Sequence, residues 1–230
     1  MKKRILLIGN DDGLPGVKVD LKNYKEYFKS SKGGEWFDSE IIEKINPSKD
    51  DLIAKIDNLK SLKLDFVIVV FSGHGGMQRE TVFELNPQGE LFAESRLHNI
   101  APKQITITDC CRARSEDVSE SLKLRNLVKS FSAFEGTRER YERRISSAIS
   151  QDIRLYSCAE NEVSHDTPKG GAYSKHLIET AMDNDSDEFI LIGRTHTTAA
   201  EKTTREFADQ HPEIIIPRLL TTQQLIFGIN

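Results

Sequence analysis

Residues 66–72, FVIVVFS, carry six apolar side chains in seven positions, most of them β-branched or aromatic. Such a run reads as a strand. RILLIG (4–9), EIIEKI (40–45), QITITDC (104–110) and IRLYSC (153–158) have the same character. Between them lie stretches whose apolar residues recur at three and four, the helical period: DLKNYKEYFKS (20–30) and KDDLIAKIDNLKSL (49–62), the latter with Pro47 and Ser48 as entry and cap. TRERYERRISSAIS (137–150), AYSKHLIETAM (172–182) and TAAEKTTREFADQ (198–210) read as later helices. A β-α-β-α-β order calls for a largely parallel sheet with helices on both faces, an α/β fold. TVFELNPQGELFAE (81–94) breaks the rhythm with two short strands around Asn-Pro-Gln-Gly, which predicts a small hairpin. The polar stretch 112–151 predicts a long connection holding one charged helix.

At 230 residues, with no evident linker or repeat, the chain suits one domain over 1–230. Its net charge of −4 offers no general attraction to polyanions, so neither nucleic acid nor a membrane is an expected partner. MKKRILLIGN begins with basic residues, but ILLI is too short for a signal-peptide core and no other run approaches a membrane span. The expected location is cytoplasmic. Three cysteines, two of them adjacent, argue against a disulfide framework and leave thiols free for chemistry.

In open α/β sheets ligands gather beyond the carboxyl ends of the strands. His74, in VIVVFSGHGG, and Cys111, in ITITDCCRAR, both fall just past such ends. A thiol is mostly protonated at neutral pH and needs an imidazole or a positive field to attack. His74 is the candidate base, and it could then protonate a leaving amine. Gly73, Gly75 and Gly76 are read as glycines taking positive φ, which brings main-chain N–H groups close to a ligand. The Gly75 and Cys111 N–H groups are the candidate oxyanion hole. Cys110 alternates to the other side of its strand and reads as buried filler, and Cys158 as core. Asp109 either orients the cysteine loop or ends the strand; Arg112 reads as an oxyanion-side or surface charge. No metal site is expected. D-N-D-S-D-E (183–188) lacks the glycine and bidentate glutamate of a calcium loop, and the cysteines lack zinc-ligand spacing.

The motifs F-S-G-H-G and I-T-D-C-C-R resemble the caspase and metacaspase superfamily of clan CD cysteine peptidases, in its prokaryotic single-domain form. The 37 residues from His74 to Cys111 are fewer than the roughly 50 of the caspase signature. G-V-K-V-D-L-K-N-Y (16–24) is similar to the family's first helix, S-C-A-E-N-E-V-S-H-D (157–166) to its specificity-pocket loop, and G-G-A-Y-S-K-H-L (170–177) to the helix after it. HPEIIIPRLL with LIFGI is similar to a closing strand. The resemblance implies a three-layer sandwich around a mostly parallel six-stranded sheet, with His74 and Cys111 as the catalytic dyad.

It also implies a specificity. Where animal caspases carry a pocket arginine that binds aspartate, this chain has Asp166, as metacaspases do, and Asp20 matches a second pocket acid of that group. The other arginine-bearing position falls near Leu14. Ser164 and His165 are further candidates for substrate contact. Two carboxylates in a desolvated pocket reject aspartate and attract a cation. The expected substrate is therefore a protein cut after Arg or Lys through a thioester acyl-enzyme, and the expected role one in prokaryotic defence or programmed cell death. Arg138, Arg140, Arg143 and Arg144 make 112–151 a candidate for self-cleavage. No cofactor is expected; calcium activation, through acids the sequence does not locate, and control by a separate regulatory protein stay open. The alternative is a catalytically silent scaffold of the same fold.

Overall fold

Strand β1 (Lys3–Gly9) divides its side chains between two separate cores, Ile5 and Leu7 joining one and Leu6 and Ile8 the other. The computed structural model, which describes residues 1–113 and 136–230, shows the same two-sided burial for the strands at the centre of the main sheet, while its edge strands are partly exposed. After β1 come α1 (Gly16–Lys29), β2 (Ile41–Ile45), α2 (Lys49–Ser61) and β3 (Phe66–Ser72). The short strands β4 (Gly75–Met77), β5 (Thr81–Glu84) and β6 (Leu91–Ala93) follow, then β7 (Lys103–Asp109). Beyond residue 135 the order is α3 (Thr137–Ser147), β8 (Gln151–Tyr156), β9 (Asp166–Thr167), β10 (Gly170–Gly171) and α4 (Ala172–Met182). The chain ends with β11 (Phe189–Leu191), α5 (Ile192–Glu206), β12 (Glu213–Ile215) and β13 (Ile226–Ile229).

The main sheet runs β12-β8-β7-β3-β1-β2, parallel except for β12 at one edge. All seven residues of β3 are buried, as the unbroken apolar run requires of a central strand covered on both faces. Helices α1, α3, α4 and α5 supply one outer layer, through residues such as Tyr24, Tyr141, Leu177 and Ala199. Helix α2 and the small β4-β5-β6 sheet supply the other, through Leu52, Ile56, Phe83 and Phe92. The expected three-layer α/β architecture is therefore present. Ser48 caps α2 as expected, its side chain accepting from the Asp51 N–H at 3.2 Å.

Three sequence expectations need correction. The hairpin is the outer pair of a three-stranded sheet, because Gly75–Met77 add an antiparallel third strand to Thr81–Phe83. The closing segment is two strands rather than one: β12 edges the main sheet, while β13 pairs with β11 in a ladder of its own. Helix α5 starts six residues earlier than the pattern suggested and stops at Glu206, leaving 207–210 as loop. Three of the five residues in its buried stripe of Ile192, Thr195, His196, Ala199 and Thr203 are polar, so hydrophobicity alone understates it. Among the described residues no helix is long and apolar enough to cross a membrane.

His196, buried within α5, lies with Nδ1 2.7 Å from the Tyr173 hydroxyl, and burial pushes its pKa down to about 4. Since an unfolded histidine titrates near 6.5, the unfolded chain binds the extra proton between these values. Stability contributed by neutral His196 is complete above about pH 6.5 and is lost as pH falls toward 4, by about 2 kcal/mol at pH 5. Denaturant titrations of wild type and His196→Gln at pH 7 and pH 5 should show a flatter pH dependence in the variant; parallel losses would contradict this account.

Candidate active site

The ends of β3 and β7 lie side by side, with Ser72 in register with Asp109 and the Gly73 N–H donating to the Asp109 carbonyl at 3.1 Å. His74 and Cys111 each stand two residues beyond that paired rung, and both line one cavity of about 500 Å³. The His74 imidazole is fixed from behind: Nε2 is 2.6 Å from the Asp12 carbonyl oxygen. A carbonyl only accepts, so Nε2 carries the hydrogen and a neutral ring has Nδ1 free as a base.

Half-buried Cys111 keeps its sulfur against the 162–166 loop, where the Ser164 N–H donates to Sγ at 3.4 Å and Sγ lies 3.7 Å from the Ser164 carbonyl. Burial raises the thiol pKa above its ordinary value, and the nearby Asp109 charge adds to this, while the Ser164 N–H opposes it. The resting sulfur is thus a thiol. Cys110 points away into the core shared with Phe71 and Phe83, as alternation along its strand predicts, and Cys158 is fully buried, in keeping with its reading as core. Gly75 and Gly76 do not take the positive φ expected of them. They are extended β4 residues, and a Cβ on Gly75 would lie 2.5 Å from the Cys110 sulfur. Close packing on the cysteine strand is therefore what requires glycine at 75.

Asp20, Asp109 and Asp166 all face the same cavity, and no lysine or arginine is among the described residues that line it. Asp20 is buried, its carboxylate accepting from Ser72 Oγ at 2.7 Å and from the Gly171 N–H at 3.0 and 3.1 Å. Burial, followed by the charge of Asp109, drives its pKa well above the carboxylate range. Asp109 accepts from Ser164 Oγ at 2.6 Å and from the Ser174 N–H at 3.1 Å, so besides ending a strand it ties β7 to the 162–166 loop and to the first turn of α4. Asp166 accepts from the Gly16 N–H at 3.1 Å. Glycine is needed at 16 and 171 because a Cβ there would collide with the Asp166 and Asp109 carboxylates. His165 lies on the cavity wall, stacked on Phe207 at 4.2 Å between ring centroids and 2.9 Å from Asp209. Among the described residues no group of three or more His, Cys, Asp or Glu side chains is arranged to hold a metal ion.

Arg112 is neither an oxyanion-side group nor a surface charge. It is buried, with its guanidinium 4.2 Å over the Tyr156 ring, and it donates to Thr81 Oγ1, the Cys158 carbonyl and Glu213 at 3.2, 3.1 and 2.7 Å. The cysteine loop is thereby pinned to β5, to the end of β8 and to the edge strand β12. The sequence reading also passed over Phe207, Asp209 and Gln210, because they were assigned to a helix that ends before them.

The caspase-domain sequence profile, of peptidase family C14, matches residues 2–220. The chain belongs to the caspase-domain family. With that membership comes cysteine-protease chemistry in general. Caspase-1 from Spodoptera frugiperda is a structural relative of this caspase domain, with a TM-score of 0.65 at 15% identity, over 99% of this chain and 90% of that one. A Geobacter sulfurreducens protein aligns over 100% of this chain and 99% of its own, with a TM-score of 0.62 at 12% identity. At such identities these two likenesses speak to the caspase fold alone. No curated protein matches the sequence.

Replacing Arg112 with Met should keep the volume of the stem while removing every donated bond, costing about 2–4 kcal/mol of stability. A thermal melt indistinguishable from wild type would show that the guanidinium does not pin the loop.

Proposed function

We propose that this caspase domain is a cysteine endopeptidase that cuts proteins after Arg or Lys. The observation that carries the reading is a single cavity holding His74 and Cys111 whose wall presents Asp20, Asp109 and Asp166. Burial, and after it the charge of Asp109, raises the pKa of Asp20, and a guanidinium or ammonium entering the cavity would favour the charged form of all three acids. An aspartate side chain would add a further like charge.

The chemistry follows from the same side chains. As Cys111 Sγ attacks the scissile carbonyl carbon, His74 Nδ1 takes the thiol proton, and the Nε2 bond to Asp12 holds the ring in place. The tetrahedral oxyanion is received by the Gly75 and Cys111 N–H groups. Collapse of that intermediate breaks the C–N bond, His74 returns the proton to the amine, and a thioester remains on Cys111. Water, activated by His74, then hydrolyses the thioester and regenerates the thiol. Because the resting sulfur is protonated, base assistance belongs to the attack itself rather than to a stored ion pair.

Ser164 and His165 form the wall beside the sulfur and are read as substrate contacts. The arginines suggested for self-cleavage lie in α3, where Arg138 pairs with Glu40 and Glu142 and Arg140 with Glu188; residues 114–135 of that stretch lie outside the described residues. Cleavage at the helical arginines would require α3 to open first. A cytoplasmic role in prokaryotic defence or programmed cell death, under a separate regulatory protein, rests on fold analogy alone.

A peptide-library digest with and without calcium, using Cys111→Ala as control, tests activity, specificity and metal need together. Cleavage after Arg or Lys is expected in wild type only, and cutting after Asp would reverse the pocket assignment. An arginine-based thiol-reactive probe separates a peptidase from a silent scaffold, since a scaffold would not be labelled. Asp166→Asn should lower kcat/KM for an arginine reporter by roughly 10- to 100-fold while leaving alkylation of Cys111 by iodoacetamide nearly unchanged. In the free protein that alkylation should keep rising with pH beyond the roughly 8.5 midpoint of an ordinary cysteine, because burial holds the thiol protonated. A rate already level below pH 7 would mean a preformed thiolate instead.

A further inference from the structure

Gln210 has no exposed surface, yet it stands outside every regular element, four residues past the end of α5. Its side-chain amide is fully used. Oε1 accepts from the His165 N–H at 3.1 Å, while Nε2 donates to the Ser157 carbonyl at 2.8 Å and to Ser164 Oγ at 3.3 Å. The backbone of Gln210 is held as well: its N–H donates to the Phe207 carbonyl at 3.1 Å, and its carbonyl accepts from Thr204 Oγ1 at 2.9 Å. One buried amide thus joins the end of β8 to two consecutive residues of the 162–166 loop.

Both residues line the cavity that holds Cys111. Ser164 meets the Cys111 sulfur through its main chain and the Asp109 carboxylate through its hydroxyl, and Asp166 follows two positions later. Half-buried and exposed side chains repeat the attachment from the outside. Phe207 stacks on His165, Asp209 pairs with His165 Nε2 at 2.9 Å, and His211 pairs with Glu162 at 2.7 Å. The outer contacts are solvent-screened and individually weak, whereas an unmade bond to the buried amide would leave polar groups unsatisfied. Gln210 is therefore the part of this attachment with the least freedom to move.

We propose that Gln210 is a positioning residue: it fixes the Ser164–His165 segment so that the wall of the substrate cavity stands at one distance from Cys111 and presents Asp166 to the incoming basic side chain. It touches neither the sulfur nor the substrate and acts through Ser164 and His165. The proposal rests on the peptidase reading for its consequence, though not for its geometry.

Gln210→Met keeps the length of the side chain and removes all three bonds. Two measurements on the folded variant decide the matter. The first is the ratio of Cys111 labelling rates for an arginine-based probe and for iodoacetamide, since only the probe needs the wall. The second is amide hydrogen exchange over residues 157–166, which needs no activity. The ratio is expected to fall at least tenfold and exchange over the segment to speed up. A folded Gln210→Met protein that keeps both the ratio and the protection of wild type overturns the proposal. If Gln210→Met does not fold, Gln210→Glu, which retains the bond from the His165 amide and loses the two donated ones, is measured in the same way with the same expectations. Should wild type itself show no preference for the arginine probe, the peptidase reading fails, and exchange alone then decides whether Gln210 sets the wall.

Discussion

The rung that pairs Ser72 with Asp109 fixes everything downstream of it. Parallel strands carry their following loops to the same edge of the sheet, so once β3 and β7 are neighbours in this register, His74 and Cys111 emerge together. The register in turn rests on burial. β3 is covered on both faces, and sliding it by one residue against β7 would exchange the side chains committed to the two cores. A site made of two short loops thereby acquires the rigidity of the most buried part of the molecule.

Charge in the cavity follows a second constraint, close backbone approach. Asp20, Asp109 and Asp166 come from different segments, and each is received by main-chain N–H groups where glycine or a turn lets the backbone draw near. Those N–H groups offset only part of the desolvation, and for Asp20 burial and the charge of Asp109 outweigh them. A cavity that is acidic when empty is complementary to a cation when filled. The thiol beside it is held protonated by burial and by Asp109, so the field that favours a basic side chain also disfavours a free thiolate. The reading of substrate and the reading of mechanism are thus linked by one source of charge.

Much of this was legible in the residues. Apolar runs marked five of the six strands of the main sheet, most plainly the central ones, since a strand buried on both faces leaves an unbroken β-branched signal. The position of Cys110 followed from strand alternation, and His74 and Cys111 from their places beyond strand ends. What escaped was polar and buried. Helix α5 presents threonines and a histidine to the core, so its start was misplaced and the loop after it, with Phe207, Asp209 and Gln210, went unnoticed. Arg112 looked like a surface charge because nothing local reveals that Glu213, a hundred residues on, returns as an edge strand beside it. The glycines after His74 suggested left-handed backbone, whereas Gly75 answers to the volume of a sulfur on a neighbouring strand. In each case the deciding partner is distant in sequence.

The parallel pairing of β7 with β8 has a mechanical corollary. A parallel neighbour can be reached only by a return journey along the whole sheet, and α3 makes part of that journey. His74 and Cys111 therefore belong to the segment ending at residue 113, and Ser164, Asp166 and Gln210 to the segment beginning at residue 136. Lateral ladder bonds, not covalent continuity, align the two halves. The rungs between the described strands would thus survive a backbone scission between 113 and 136.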